Sequence, residues 1–254
     1  MRLAPVTALA GILLDFSTSE DAPTTGYGPS GSFSPISVGT IIQAAPTDGV
    51  DTGTNVPNWG MCELMYVYNT GSAVVPGTLV TVDKDYTITA AASTAGTGRP
   101  LFVALTNFAA GSTTRQGGWV MLSGICPVTF SVAATAGPVY LGTAGNATPT
   151  AAAGKQILNA TTLIAAASAF TRQIVTTNGS KFVKTARVNG IFIGQAVSGT
   201  GVAGGSTVAS IDPGGNGFTL NNAATASGAV TGTFTPTGYG IVQISRPFGQ
   251  GQIT

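Results

Sequence analysis

Four short apolar runs crowd the stretch between Thr78 and Val132: Leu79–Val82, Leu101–Leu105, Trp119–Leu122 and Ile125–Val132, with Gly, Thr, Ser and Pro between them. The last is the most constraining. Cys126, Val128, Phe130 and Val132 alternate with Pro127, Thr129 and Ser131, the period of two that a half-buried strand needs. Runs this short, broken this often by turn residues, point to an all-β chain whose centre is a small antiparallel β-barrel or sandwich.

Composition agrees. At 254 residues the chain can bury a sizeable core, as one domain or two. Disordered chains combine high net charge with low hydropathy; here the formal net charge is +1 and the mean hydropathy +0.35, so the chain is expected to fold. Only 19 residues are charged. A free monomer usually relies on charge for solubility, so a surface this poor in it favours a subunit covered by copies or partners.

The first 60 residues read differently. Pro5 to Phe16 suggests a short helix, and from Ser17 to Gly60 Gly and Pro recur while apolar residues are sparse. Such a segment cannot bury enough surface to fold alone; it is a disordered tail or an arm that orders against something else, and the arm is the expectation. Phe33, Ile36, Val38, Ile41 and Ile42 are spaced as an extended chain needs to dock on a neighbouring sheet edge.

After the arm, Glu63–Tyr68 starts the sheet and Asp83-Lys84-Asp85 ends one strand at a charged tip. The Ala-rich segment Ala151–Phe170 fits a helix by propensity or a strand pair by its Thr content. Five short runs between Gln173 and Phe234 alternate with Gly-rich turns and suit a compact β-module. Tyr239–Ile244 supplies a last strand, and Arg246-Pro247 begins a Gly/Gln tail. The expected organisation is an extended arm over 1–60, a core over 61–172 and 238–254, and an inserted module over 173–237 whose exit strand completes the first sheet.

No residue presents itself as a catalyst. With no His there is no Ser-His-Asp or Cys-His arrangement, and the nine acids are scattered, so no carboxylate pair can be nominated. The expectation is a protein that is not an enzyme and takes no cofactor or metal. Gly199-Thr200-Gly201-Val202-Ala203-Gly204 has dinucleotide-fingerprint spacing, but a strand-like run follows where the helix should begin, leaving a hairpin loop as the better reading. Asp83 and Asp85 offer calcium too few oxygens. Cys62 and Cys126 are too few for a disulfide framework and are expected as small buried residues. Pro5 and Gly11 interrupt the apolar N-terminus against a signal peptide, and no apolar span is long enough for a membrane helix.

Charge distribution is more informative. Eight of the nine acids precede Tyr86, whereas Arg99, Arg115, Lys155, Arg172, Lys181, Lys184 and Arg187 follow with no acid among them. This suggests complementary contact between an acidic N-terminal arm and a basic face, within a subunit or between subunits. Arg172, Lys181, Lys184 and Arg187 are thus candidate partner contacts beside the five apolar arm residues. Without aromatic stacking platforms beyond Phe182 they make a poor nucleic-acid site.

Two patterns resemble known proteins. Val75-Pro76-Gly77-Thr78-Leu79-Val80, Gly117-Gly118-Trp119-Val120-Met121-Leu122-Ser123-Gly124 and Gly137-Pro138-Val139-Tyr140-Leu141 resemble the small β-barrel cement or decoration proteins of tailed-phage capsids. Gly190–Gly201, Ser206–Ile211 and Ala224–Gly228 resemble a Gly/Thr-rich module of phage virion proteins. The long arm and inserted module depart from the smallest, barrel-only members. The resemblance implies a virion protein on the capsid outer surface that clamps neighbouring major capsid protein subunits, as a homo-oligomer, with no role for nucleic acid or membrane. The alternative is a tail or spike protein whose module recognises a host glycan.

Overall fold

The computed structural model describes residues 3–5, 20–22, 37–46, 60–111, 115–164, 169–212 and 215–251. The protein is all-β: among these residues every regular element is a strand, and every pairing between strands is antiparallel. In chain order the strands are β1 (Leu3–Pro5), β2 (Glu20–Ala22), β3 (Ile41–Pro46), β4 (Cys62–Asn69), β5 (Leu79–Val82), β6 (Ile88–Ala90), β7 (Phe102–Ala104), β8 (Arg115–Thr129) and β9 (Gly137–Leu141). There follow β10 (Ala147–Thr148), β11 (Gln156–Ile164), β12 (Phe170–Thr176), β13 (Phe182–Lys184), β14 (Ala196–Ser198), β15 (Val208–Ile211), β16 (Gly217–Leu220), β17 (Gly228–Thr235) and β18 (Tyr239–Gly249). They form a sheet of 12 strands and a sheet of 6.

The larger sheet is organised around β8. The run Trp119–Leu122 and the first part of Ile125–Val132, expected as separate strands, belong to one 15-residue strand that continues through Gly124 and ends at Thr129, leaving Val132 beyond it and exposed. Gly124 takes φ +136°, and a Cβ there would lie 2.6 Å from the Cβ of Cys62. A side chain is thus excluded twice, by conformation and by space. On one edge β8 pairs with β4, from Glu63↔Ser123 to Asn69↔Gln116; on the other, its second half pairs with β18, from Ser245↔Ser123 to Tyr239↔Thr129.

Both faces of β4 and of the Trp119–Leu122 part of β8 are buried, which is why these stretches lose the clean alternation. Leu64, Tyr66, Trp119 and Met121 enter the main core with Cys126, Val128, Val242 and Ile244. Met65, Val67, Val120 and Leu122 enter a second cluster on the opposite face with Val80, Ile88 and Phe108. Tyr66 and Trp119 meet edge to face at 5.3 Å between ring centroids. Fully burying each large apolar side chain contributes about 1.5–3 kcal/mol, so these two strands carry much of the stabilisation.

The sheet curls back on itself. From β8 the order runs through β18, β11, β9 and β10, and a bridge from Ala147 to Phe130 returns to the end of β8. The segment Ala151–Phe170, ambiguous in sequence, contains strand β11, with Ile157 buried in the main core between β9 and β18. Flanked on both edges, its backbone finds partners in the sheet, which overrides the helix propensity of its alanines. The expected Gly/Gln tail is also corrected: β18 continues through Arg246 and Pro247 to Gly249, and the Pro247 carbonyl accepts a hydrogen bond from the Leu101 N–H at 2.8 Å.

The end of the expected arm belongs to this sheet. Strand β3 pairs with β4 from Ile41↔Met65 to Ala44↔Cys62, and Ile42 and Ala44 are buried in the main core. Short strands β1 and β2 add to β3 and to the start of β8. The helix expected over Pro5–Phe16 lies outside the described residues apart from Pro5, which ends β1.

The smaller sheet runs β14-β17-β12-β13-β16-β15. A bridge between Ala196 and Thr207, with Val197 N–H donating to Ser206 at 2.9 Å and Val208 N–H to Gln195 at 3.0 Å, joins its two edges into a closed barrel. Closure removes the free edges that would otherwise invite association. Its core holds Phe170, Ile174, Val183, Phe218 and Phe234, with Phe170 and Phe234 stacked at 5.1 Å. These two residues are also register partners, so the chain enters and leaves the module side by side before β18 rejoins the larger sheet.

Candidate interaction surfaces

Three of the four basic residues singled out in the sequence, Arg172, Lys184 and Arg187, meet along the β12–β13 seam. Lys184 on β13 sits opposite Val175 on β12. Further along, Arg172 Nη1 donates to the backbone carbonyl of Arg187 at 2.6 Å, and its guanidinium lies 5.6 Å from the centroid of Phe170. Thr185 Oγ1 fixes the chain between them by donating to the Gln173 carbonyl at 3.2 Å. Lys181 precedes β13, and its carbonyl is held by the Leu220 N–H at 2.9 Å.

Strand alternation decides what accompanies these cations. On β13, Val183 is buried while Phe182 and Lys184 face outward; on β12, Ile174 is buried while Gln173 and Val175 face outward. Val175 remains 45 % exposed and Phe182 38 % exposed. The ring of Phe182 lies along the sheet over Gly217, where a Cβ would come within 2.9 Å of its Cζ. The outward face thus carries an apolar pair beside Lys184, Gln173, Thr219 and Thr231, an apolar centre with a polar rim as in protein contact surfaces.

The arm residues separate. Ile42 is a core residue, because its position on β3 faces the main core beside Leu64, and it is unavailable to a partner in the folded chain. Its neighbour Ile41 points the other way and is 50 % exposed. Val38 is half-buried in the turn leading to β3, and Phe33 and Ile36 lie outside the described residues.

A groove of about 560 Å³ lies between the β5–β6 hairpin and the loop before Leu101, lined by Thr81, Thr89, Thr94, Thr97, Arg99 and Leu141 among others. Its lining is mostly hydroxyl and methyl. At the hairpin tip the Asp83 carboxylate accepts hydrogen bonds from the N–H groups of Asp85 and Thr87 at 2.9 and 2.8 Å, and Asp85 pairs with Lys84 at 2.8 Å. Both acids are engaged by the turn itself. Among the described residues no group of three or more His, Cys, Asp or Glu could hold a metal. The segment Gly199–Gly204 joins β14 to β15, so a strand follows it where a dinucleotide site would need a helix.

Cys62 and Cys126 are free and buried. Burial pushes the Cys62 thiol up to about 12 against a weaker lowering influence of a backbone hydrogen bond with Ala44, and burial with the neighbouring Cys62 pushes Cys126 up as well. Thiols held protonated in this way are poor nucleophiles and poor metal ligands.

Two features escaped the sequence reading. Closure of the module depends on backbone hydrogen bonds between short segments, which side-chain pattern does not encode. The contact between module and larger sheet, where Phe192 meets Tyr239 at 5.0 Å beside Ile241, joins residues distant in sequence. No protein-family model, curated protein or solved structure matches the chain.

Proposed function

We propose that the protein is a structural component of a phage virion, a cement or decoration protein that binds the outer surface of the assembled head and clamps adjacent major capsid subunits. The observation that carries this reading is the N-terminal portion entering the sheet as separate short strands, β1, β2 and β3, each added antiparallel to an existing strand. A segment built this way orders by strand addition, the chemistry by which an extended arm grips a sheet edge on a neighbour. The charge-poor composition and the motif resemblance support the same reading. A ligand that prefers the assembled shell to free subunits stabilises the shell by mass action, and ordering of arms on docking enlarges the contact at an entropic cost.

The test is to add purified protein to expanded heads and to unassembled capsid protein. Preferential binding to heads, with a higher melting temperature of the particle, is expected. Equal affinity for the two forms would overturn the proposal.

A further inference from the structure

We infer that the outward face of the β12–β13 seam is a docking surface for the acid-rich N-terminal portion of a second copy of this chain. The charge of the sequence is divided in two. Residues 1–85 hold eight acids and two cations, net −6, whereas residues 86–254 hold eight cations and one acid, net +7. Within the larger sheet part of this difference is settled in the same chain, where Arg246 Nε lies 3.3 Å from Glu63.

The module has no such compensation. Its single acid, Asp212, accepts the N–H of Asn216 at 3.0 Å within its own loop. Lys181, Lys184 and Arg187 form no ion pair among the described residues, and Lys184 stands beside the exposed Val175 and Phe182. An exposed apolar pair beside a lysine with no acidic partner among the described residues is complementary to an acidic segment carrying scattered apolar residues, and the first 60 residues have that composition. A polyanion such as nucleic acid would use the cations but not Val175, and would want more than one aromatic platform.

Because the donor and receiver patches differ, the contact is heterologous; it closes into a ring or runs on as a chain of copies. The inference concerns contact between copies, so its failure would leave the capsid-binding proposal standing.

The test is sedimentation of the full-length protein over a range of concentration and salt. The wild type is expected to self-associate at low salt and to weaken as salt rises. Lys181→Glu/Lys184→Glu should weaken association about tenfold or more while keeping the wild-type circular dichroism spectrum, since both lysines are exposed. Asp15→Lys/Asp48→Lys/Asp51→Lys should do the same, and mixing the two charge-reversed proteins should restore association. A wild type that is monomeric at all salt concentrations would overturn the inference, as would a seam variant that associates normally or a mixture that stays monomeric. Salt-sensitive retention of the wild type on heparin without self-association would assign the seam to a polyanion instead.

Discussion

Gly194 of the module lies directly beneath the phenol of Tyr239, the first residue of β18: a Cβ on Gly194 would overlap the Tyr239 hydroxyl oxygen and stand 3.0 Å from Cζ. Gly194 also takes φ +87°. Tyr239 in turn stacks edge to face on Phe192, so this glycine sets how closely the module seats on the larger sheet.

Gly194→Ala should therefore destabilise the protein by about 2–4 kcal/mol, combining a left-handed backbone cost with overpacking. Tyr239→Phe removes the closest overlapping atom and leaves the backbone cost. The double variant should recover about 1 kcal/mol relative to additivity, readable from chemical denaturation of the four proteins in a mutant cycle.

Gly124→Ala probes the middle of β8, where the strand passes Cys62. Its Cβ would press on Cys62, and φ +136° disfavours any side chain, so a loss of about 2–4 kcal/mol is expected. Ala at Gly204, where no atom lies within 4 Å and φ is ordinary, should change stability by less than about 0.5 kcal/mol. Thermal melts of the two variants would check the contrast.

The buried thiols predict loss of stability in alkali. In the unfolded chain they ionise near 9.0, whereas in the native state Cys62 is pushed up to about 12 and Cys126 is raised as well. Above pH 9 the native state therefore holds more protons than the unfolded state. The stability they contribute is fully present below 9 and is lost as pH rises towards 12, by up to about 1.4 kcal/mol per pH unit for each thiol. Burial raises Tyr239 from 10.0 and adds to the fall. Urea denaturation between pH 8 and 11 should show the decline, and Cys62→Ala should flatten it. A thiol-reactive disulfide reagent should modify neither cysteine in the native protein and both in denaturant.

Strand β18 lies between β8 and β11 and buries Val242 and Ile244 in the main core. Truncation after Gly238 should abolish cooperative folding. Excising residues 170–235 and joining the ends by a short linker should leave a folded protein of lower stability, because Phe170 and Phe234 are paired and the cut ends lie close together. The cost would come from uncovering Tyr239 and Ile241, and far-ultraviolet circular dichroism with thermal melting would distinguish the two constructions.

Much of the architecture was legible in the residues themselves. The apolar runs and their Gly and Pro punctuation determined the all-β class and placed β5, β7, β13, β15 and β16, because strand alternation and turn chemistry are local properties. The asymmetry of charge was equally plain. Tertiary structure alone decided the rest. It made one strand of two runs at Gly124, since neighbours on both edges reward continuity. It chose strand over helix for β11 by offering that segment two partners, and extended β18 past Pro247 by giving the proline carbonyl a donor. It divided two adjacent isoleucines, turning Ile42 inward and Ile41 outward, and it brought Arg172, Lys184 and Arg187 to one seam. Those outcomes depend on hydrogen bonds and contacts between residues far apart in the chain, whose energies no local pattern records.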